Sequence, residues 1–557
     1  MAGTEKKALA AEGVLPAGGD PKGDVFFEDV MEWCCGSGRW QVLVIGYMSI
    51  IWLILPAISM SMMFVGASPQ FKCADGFDAN VTFASLPADA PQCHQLGDAS
   101  APCSRWAFDT SVYESTVVTE WDLVCARKPL LSMLQSWLML GGILGSVISG
   151  QLADWLGRRP VFLITAVAMV GCSFAQALVR DYASFAAVRF VTGVVMAALV
   201  GCHCVMTMEL SGRSTRAAVG TLSALPFPVG IMLLAAGSYA LRSHQQLLLA
   251  YAVPFLFLLS NYWLRPESPH WLVVQGRFAE AHAILERGAR CNGHQMPPRE
   301  QVLAMMRRAR DGLLAREAAA RRDSGGARHG WRQLASSPTL VRYTLVSGFI
   351  CFVISGSYFG ITFDTTQLSA SPHLAGVLSG LVEIPSYLVY PLLDRLGRRA
   401  SLVAFLLTAA VAMLLVLADR QPALWLTLGL VAKFGVSAAF GGVFVLVAEC
   451  IPTTVRGLAF GVCQMGVRLG GAVAPFVVDL VSDLHPAAPS AVFGVAVLSA
   501  GLATLLLPET NHRPLPETAA DIERSSAAAG NTADERSDVG SDGATVYMER
   551  VELSENF

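Results

Sequence analysis

Three ionisable residues stand inside stretches of this 557-residue chain that otherwise carry no charge: Glu383, Lys433 and Arg468. A carboxylate shielded from water holds an ammonium group, and a guanidinium offers a planar fork that matches a carboxylate. The rings of Tyr358, Phe359 and Tyr387 lie in the same part of the chain and supply faces for a quaternary ammonium. Glu383 and Arg468 are read as the acidic and basic poles of one cavity, with the three aromatic residues beside them. The alternatives are an internal ion pair for each charge and packing for each ring. This is chemistry for holding a charged solute, and reaction motifs are lacking. There is no His-Glu-x-x-His or Gly-x-Ser-x-Gly, the ten histidines are scattered, and none of the six lysines follows a glycine, so no phosphate-binding loop exists for an ATP-driven pump. Cys202-His203-Cys204 sits on one helix with adjacent residues pointing to different faces, and is read as packing rather than metal ligation. The chain is therefore expected to be no enzyme, with no metal, cofactor or nucleic-acid partner.

The elements around these residues follow from where charge is absent. Only 15% of residues are charged and 53% are hydrophobic. The charges crowd into clusters separated by runs at 40–71, 129–153, 160–179, 190–208, 217–241, 243–264, 343–363, 365–393, 400–418, 421–448, 457–478 and 484–508. A bilayer core about 30 Å thick takes roughly 20 apolar residues per helix, and each span must satisfy its own backbone hydrogen bonds. Twelve such runs predict an all-α membrane protein of twelve transmembrane helices, in contact with the lipid bilayer. An ionisable residue within a span costs about 2.5–3.5 kcal/mol on insertion scales and is a functional candidate by default.

Residues 1–39 are expected to form a cytosolic tail, 40–264 a six-helix bundle including an extracellular loop at 67–128, 265–342 a cytosolic linker, 343–508 a second bundle, and 509–557 a disordered cytosolic tail. The linker is rich in arginine, which the positive-inside rule places in the cytosol, and an even number of spans puts both termini there. The outer loop holds Cys73, Cys93, Cys103 and Cys125, which predict two disulfides with three connectivities open. Its Asn80-Val81-Thr82 is a glycosylation acceptor pattern. The terminal Ser554-Glu555-Asn556-Phe557 is a candidate strand for a scaffold partner.

The chain repeats itself at an offset of 240 to 242. Asp154-Trp-Leu-Gly157-Arg158-Arg159 returns as Asp394-Arg-Leu-Gly397-Arg398-Arg399, Glu209 and Arg216 return as Glu449 and Arg456, and Pro266-Glu-Ser268 after span six has Pro508-Glu-Thr510 after span twelve. Two six-helix parallel repeats are the architecture of the major facilitator fold. The ten charged residues Asp154, Arg158, Arg159, Glu209, Arg216, Asp394, Arg398, Arg399, Glu449 and Arg456 are read as gating latches on the cytosolic face.

These residues resemble the organic cation, organic anion and carnitine transporters of the solute carrier 22 type. The resemblance runs from Trp40 to Pro516 and rests on Ser115-Thr-Val-Val-Thr-Glu-Trp-Asp-Leu-Val-Cys125, Pro266-Glu-Ser-Pro-His-Trp271 and Ala448-Glu-Cys-Ile-Pro-Thr-Thr-Val-Arg456. Gly356-Ser-Tyr-Phe-Gly360 and Val382-Glu-Ile-Pro-Ser-Tyr387 look closest to the carnitine and zwitterion branch, while Cys125-Ala-Arg-Lys-Pro129 looks like invertebrate members. The resemblance implies a plasma-membrane carrier working by alternating access on small organic ions, most nearly zwitterionic or cationic amines of the carnitine kind. An organic anion transporter and a transport-inactive, receptor-like relative are the alternatives. It implies a site role for Glu383, as in the cation carriers, and for Arg468, as in the anion and carnitine carriers. The anion carriers have a lysine where Tyr387 stands. Lys433 matches a lysine found across the family irrespective of substrate charge, which suits an internal salt bridge, and Arg189 is read the same way. Coupling to sodium or protons stays open.

Overall fold

The structure, a computed structural model, describes residues 27–36, 38–78, 81–95, 98–212, 219–220, 222–324, 334–335, 337–368, 371–389, 395–418, 421–452 and 455–511. Asn80, Arg216, Asp394 and the terminal stretches 1–26 and 512–557 lie outside the described residues.

Each apolar run forms a helix: α1 Arg39–Val65, α2 Lys128–Leu156, α3 Arg158–Leu178, α4 Tyr182–Glu209, α5 Pro226–Ala240, α6 His244–Leu264, α7 Pro338–Leu368, α8 Pro372–Leu388, α9 Arg398–Leu415, α10 Pro422–Cys450, α11 Arg456–Val481 and α12 Ala488–Thr504. Among the described residues nine are long and apolar enough to cross a bilayer; α5 and α12 are shorter apolar helices, and α8 has 17 residues including Glu383. Proline opens α2, α5, α8, α10 and α12, where its missing N–H has no bond to lose. α1 is built of Arg39–Ile54, Pro56–Ser59 and Met62–Val65, with Pro56 at its first break.

The halves pack alike: α1 on α5 and α2 on α4 in the first, α7 on α11 and α8 on α10 in the second. Bare glycine backbone permits this closeness, since a Cβ on Gly193 would lie 2.0 Å from the Leu138 carbonyl and one on Gly470 2.1 Å from that of Phe352. Between halves, α2 packs on α11 and α5 on α8. The loop after α1 forms two small antiparallel sheets, Phe71–Cys73 with Trp106–Phe108 and His94–Gln95 with Asp98–Pro102. Of the three connectivities, the structure has Cys73–Cys103 and Cys93–Cys125.

Three edges differ from expectation. The helix α7 begins at Pro338, inside the expected linker, and continues to Leu368. The expected linker contains helices Pro269–Val274, Phe278–Asn292 and Arg299–Ser324. The expected N-terminal tail contains the helix Phe27–Cys35, whose Phe27, Val30, Met31 and Cys34 follow helical spacing and bury against Leu285, Ala289, Val302 and Met306. Asn292 fastens this helix to α1: its amide oxygen accepts from the Trp40 N–H at 2.7 Å, and its NH2 donates to the Cys35 carbonyl at 2.8 Å and to Gln41 Oε1 at 3.0 Å.

Candidate functional site

On α7, Tyr358 and Thr362 lie one turn apart on one face; on α8, Glu383 and Tyr387 do the same. The four converge with Lys433 of α10. The Tyr358 hydroxyl donates to both Glu383 oxygens, at 3.1 and 2.9 Å, and the Tyr387 hydroxyl reaches Oε1 at 3.5 Å. Lys433 Nζ stands 3.7 Å from Glu383 Oε2, donates to Thr362 Oγ1, and lies 3.7 Å from the centre of the Tyr358 ring. Glu383 and Lys433 are both almost fully buried. Such a pair is stable only with its remaining donors and acceptors engaged, and here the tyrosines and Thr362 engage them. Lys433, which the sequence left between a substrate ligand and an internal salt bridge, lies within ion-pair distance of Glu383.

Arg468 of α11 is in a different state. Its Nε is buried without a hydrogen-bond partner, packed over Gly142 of α2, where a Cβ would come within 3.2 Å of it. Among the described residues Arg468 makes no hydrogen bond or ion pair, and the residue is half-buried. No hydrogen bond or ion pair among the described residues joins it to Glu383. Between them, Tyr358 meets Phe359 edge-on at 5.7 Å, and a Cβ on Gly471, three residues beyond Arg468, would lie 3.1 Å from the Phe359 ring and 3.2 Å from Met139 Sδ.

Arg189 is buried and tied to uncharged oxygens only: Gln135 Oε1 at 2.6 Å, Ser61 Oγ and the Ile58 carbonyl at 3.1 Å, and the Leu134 carbonyl at 3.4 Å. Gln135 in turn donates to the Ser59 carbonyl at 3.1 Å. Together they hold the broken end of α1, a structural task.

The repeated loop motifs build two like clusters. Arg158 Nη2 lies 3.1 Å from Asp154 and 3.0 Å from Glu209, and Arg159 donates to the Tyr262 carbonyl at 2.5 Å. Arg398 Nε lies 3.2 Å from Glu449, whose Oε2 also accepts from Thr510 at 2.5 Å. Arg456 donates to the Ile451 carbonyl at 3.1 Å rather than to Glu449. The residue at the centre of each cluster went unassigned in the sequence. Glu267 accepts from the backbone N–H groups of Arg158 and Arg159, both at 3.1 Å, capping α3 from another element. Glu509 accepts likewise from Arg398 at 2.8 Å and Arg399 at 3.1 Å, capping α9. A carboxylate at a helix N-terminus satisfies free N–H groups and the helix dipole together. The turns need glycine: Gly157 has φ +101° and Gly397 φ +93°, and a Cβ on either would be 2.7 Å from the capping carboxylate. The repeated Pro-Glu-Ser/Thr pattern was the signal for this role.

Each cluster is built within one half, at the face that bears the linker. Bonds joining the halves lie toward the opposite face, which bears the 66–127 loop: Lys128 to Asp483 at 2.5 Å, Ser132 to Asp479 at 2.6 Å, Ser136 to the Ala472 carbonyl at 2.6 Å, and Ser238 with His373 at 2.9 Å. The His373 ring is also surrounded by Phe64, Tyr113 and Tyr239, with centres 5.6–5.7 Å away. Among the described residues, Cys73, Asp75 and Cys103 come close enough to hold a metal ion, but the two sulfurs are bonded to each other.

The family model described as "Sugar (and other) transporter" matches residues 90–521. An organic cation transporter protein of Drosophila melanogaster is 31% identical over 506 residues, covering 85% of this chain and 90% of its own length. Solute carrier family 22 member 7 of Bos taurus is 31% identical over 542 residues (90% and 97%), and a beta-alanine transporter of Drosophila melanogaster 33% identical over 419 residues (75% and 68%). Among solved structures, the proton:xylose symporter XylE bound to 6-bromo-6-deoxy-D-glucose superposes with a TM-score of 0.55 at 16% identity, over 86% of this chain and 97% of that one, which supports the fold alone. The chain, a multi-pass membrane transporter of small organic solutes and no enzyme, belongs to the solute carrier 22 branch of the major facilitator transporters.

Proposed function

We propose that the chain is a plasma-membrane carrier of small zwitterionic amines, which it moves by alternating access. The observation behind this reading is the unpartnered guanidinium of Arg468, one turn before the Gly471 backbone on which the Phe359 ring packs. A substrate carboxylate pairs with its Nη atoms, and the ammonium end lies against Phe359 and Tyr358 toward Glu383. Because Lys433 already balances Glu383, Arg468 sets the net charge of this group of three. This disfavours a cation without a carboxylate and fits the name of one relative, a beta-alanine transporter. In this reading the disulfide-bearing loop is extracellular, the linker and both termini are cytosolic, Asn80 is glycosylated, and the repeated clusters around Arg158 and Arg398 gate the cytosolic face.

The same charge balance favours a second reading, an organic anion carrier, in which Arg468 alone selects substrate. Uptake into proteoliposomes of beta-alanine, carnitine, tetraethylammonium and an aromatic carboxylate, with and without sodium, separates the two. The zwitterions should enter, and Arg468→Gln should abolish their entry. Entry of the aromatic carboxylate alone favours the second reading. Entry of tetraethylammonium alone overturns both, and entry of none points to a receptor-like relative.

A further inference from the structure

The contacts between α2 and α11 form an ordered series. Starting at the loop face, Lys128 meets Asp483 at 2.5 Å, Ser132 donates to Asp479 Oδ2 at 2.6 Å, and Ser136 donates to the Ala472 carbonyl at 2.6 Å. Next inward, Met139 flanks Gly471, and last, the bare backbone of Gly142 lies under the Arg468 guanidinium. On α2 the positions advance by about one turn per step; on α11 they run backward, as antiparallel helices require. Every rung joins one half of the molecule to the other. The hydroxyl rungs at Ser132 and Ser136 are buried.

We propose that this ladder is the loop-face gate and that Arg468 is its innermost rung, so that the fork is aimed at substrate only while that face is shut. Ser132, Ser136 and Asp479 are then positioning residues for the guanidinium. The proposal rests on Arg468 as the carboxylate anchor. Its physical content is a shared surface. One edge of the guanidinium rests on α2, and only the Nη atoms are left to a ligand. When the halves rock apart at this face, α2 withdraws from under Arg468, Nε gains water, and the long side chain regains its rotamers. A bound carboxylate restrains the Nη atoms and so favours the closed ladder; a ligand shifts a two-state equilibrium only by binding the two states unequally. A tetraalkylammonium ion has no group for the fork and exerts no such pull. The upper rungs are suited to repeated opening. They are mainly hydroxyl bonds, whose partners water replaces at small net cost.

Two measurements test this. In the full chain with a protease site in the linker, Ser132→Cys and Asp479→Cys are oxidised with copper phenanthroline, which passes two electrons from the two thiols to dioxygen as the disulfide forms. The cleaved halves should stay joined on a non-reducing gel and separate with reductant. Beta-alanine should raise the yield of joined halves and tetraethylammonium should not. Halves that never join overturn the gate, and this readout needs no transport. Separately, Ser136→Ala should raise the KM for beta-alanine uptake about tenfold, with the maximal rate little changed. Ser136→Thr, which keeps the hydroxyl, should restore it. An unchanged KM with a lowered maximal rate makes the ladder a plain seal and overturns the coupling. Normal beta-alanine uptake by Arg468→Gln overturns the functional reading instead, leaving the gel result standing.

Discussion

The Lys433 ammonium and the Glu383 carboxylate, 3.7 Å apart, neutralise one another in the membrane interior, with the lysine also over the Tyr358 ring. Removing one partner leaves the other buried and uncompensated, which costs about 3–5 kcal/mol. Glu383→Gln should therefore lower the melting temperature of the detergent-solubilised protein sharply. Adding Lys433→Met should recover most of the loss. A single variant that melts like the parent would show that the pair contributes nothing.

The carboxylates of Glu267 and Glu509 cap α3 and α9 from outside those helices. Glu267→Ala and Glu509→Ala should each lower stability by about 1–2 kcal/mol, the upper range for a cap and dipole contact. The two sites lie in different halves, so the losses should add. Thermal melts of the two singles and the double decide this; a double no worse than either single would mean that the clusters unfold as one.

His373 bridges the halves at the loop face. The Ser238 hydroxyl lies 2.8 Å from the Ala235 carbonyl and 2.9 Å from His373 Nδ1. Burial pushes the nearby Tyr113 hydroxyl up to about 12, keeping it neutral beside the ring. His373→Ala should open a path to buried Met63, which with Phe64 flanks Gly376 of α8. A cysteine placed there by Met63→Cys should react with a bulky thiol reagent about tenfold faster, equivalent to about 1.4 kcal/mol of gate closure. Mass spectrometry of the labelled peptide measures the rate. No acceleration would remove His373 from the gate. His373→Phe keeps the ring and should stay slow.

The cysteines of the N-terminal helix report its packing. Burial pushes the Cys34 thiol from 9.0 up to about 12 and the Cys35 thiol to about 11. The thiolate is the reactive form, so at pH 7.5 neither should be alkylated while exposed Cys291 is. The folded helix holds these protons more tightly than the unfolded one. Its stability is therefore complete below pH 9 and declines as pH rises toward 11 and 12. Alkylation of Cys34 and Cys35 should rise over that window and not before. Labelling at pH 7.5 would mean that the helix is not docked.

The spans were legible because insertion into lipid imposes one rule on every residue, and charge-free runs near 20 residues have few other causes. Glu383 and Arg468 stood out for the same reason, as exceptions to that rule. The pairing of Glu383 with Lys433 was not legible, because the partners sit on different helices and no spacing along the chain encodes a contact between α8 and α10. The Phe27–Cys35 helix was missed because its nine residues are amphipathic and too short to read as a span. Glu267 and Glu509 lay in plain view in a repeat, but their function depends on helix N-termini more than a hundred residues away.

The clasp at Asn292 has a consequence for biosynthesis. The Trp40 N–H and Cys35 carbonyl at the root of the first span find this partner only in a residue some 250 positions later. Before that residue is made, the start of α1 is held to the preceding helix only by near neighbours, as where Gln41 donates to the Gly36 carbonyl at 2.6 Å. It acquires this partner only when the helix ending at Asn292 has emerged, so the junction between the Phe27–Cys35 helix and α1 is completed late in the synthesis of the first half.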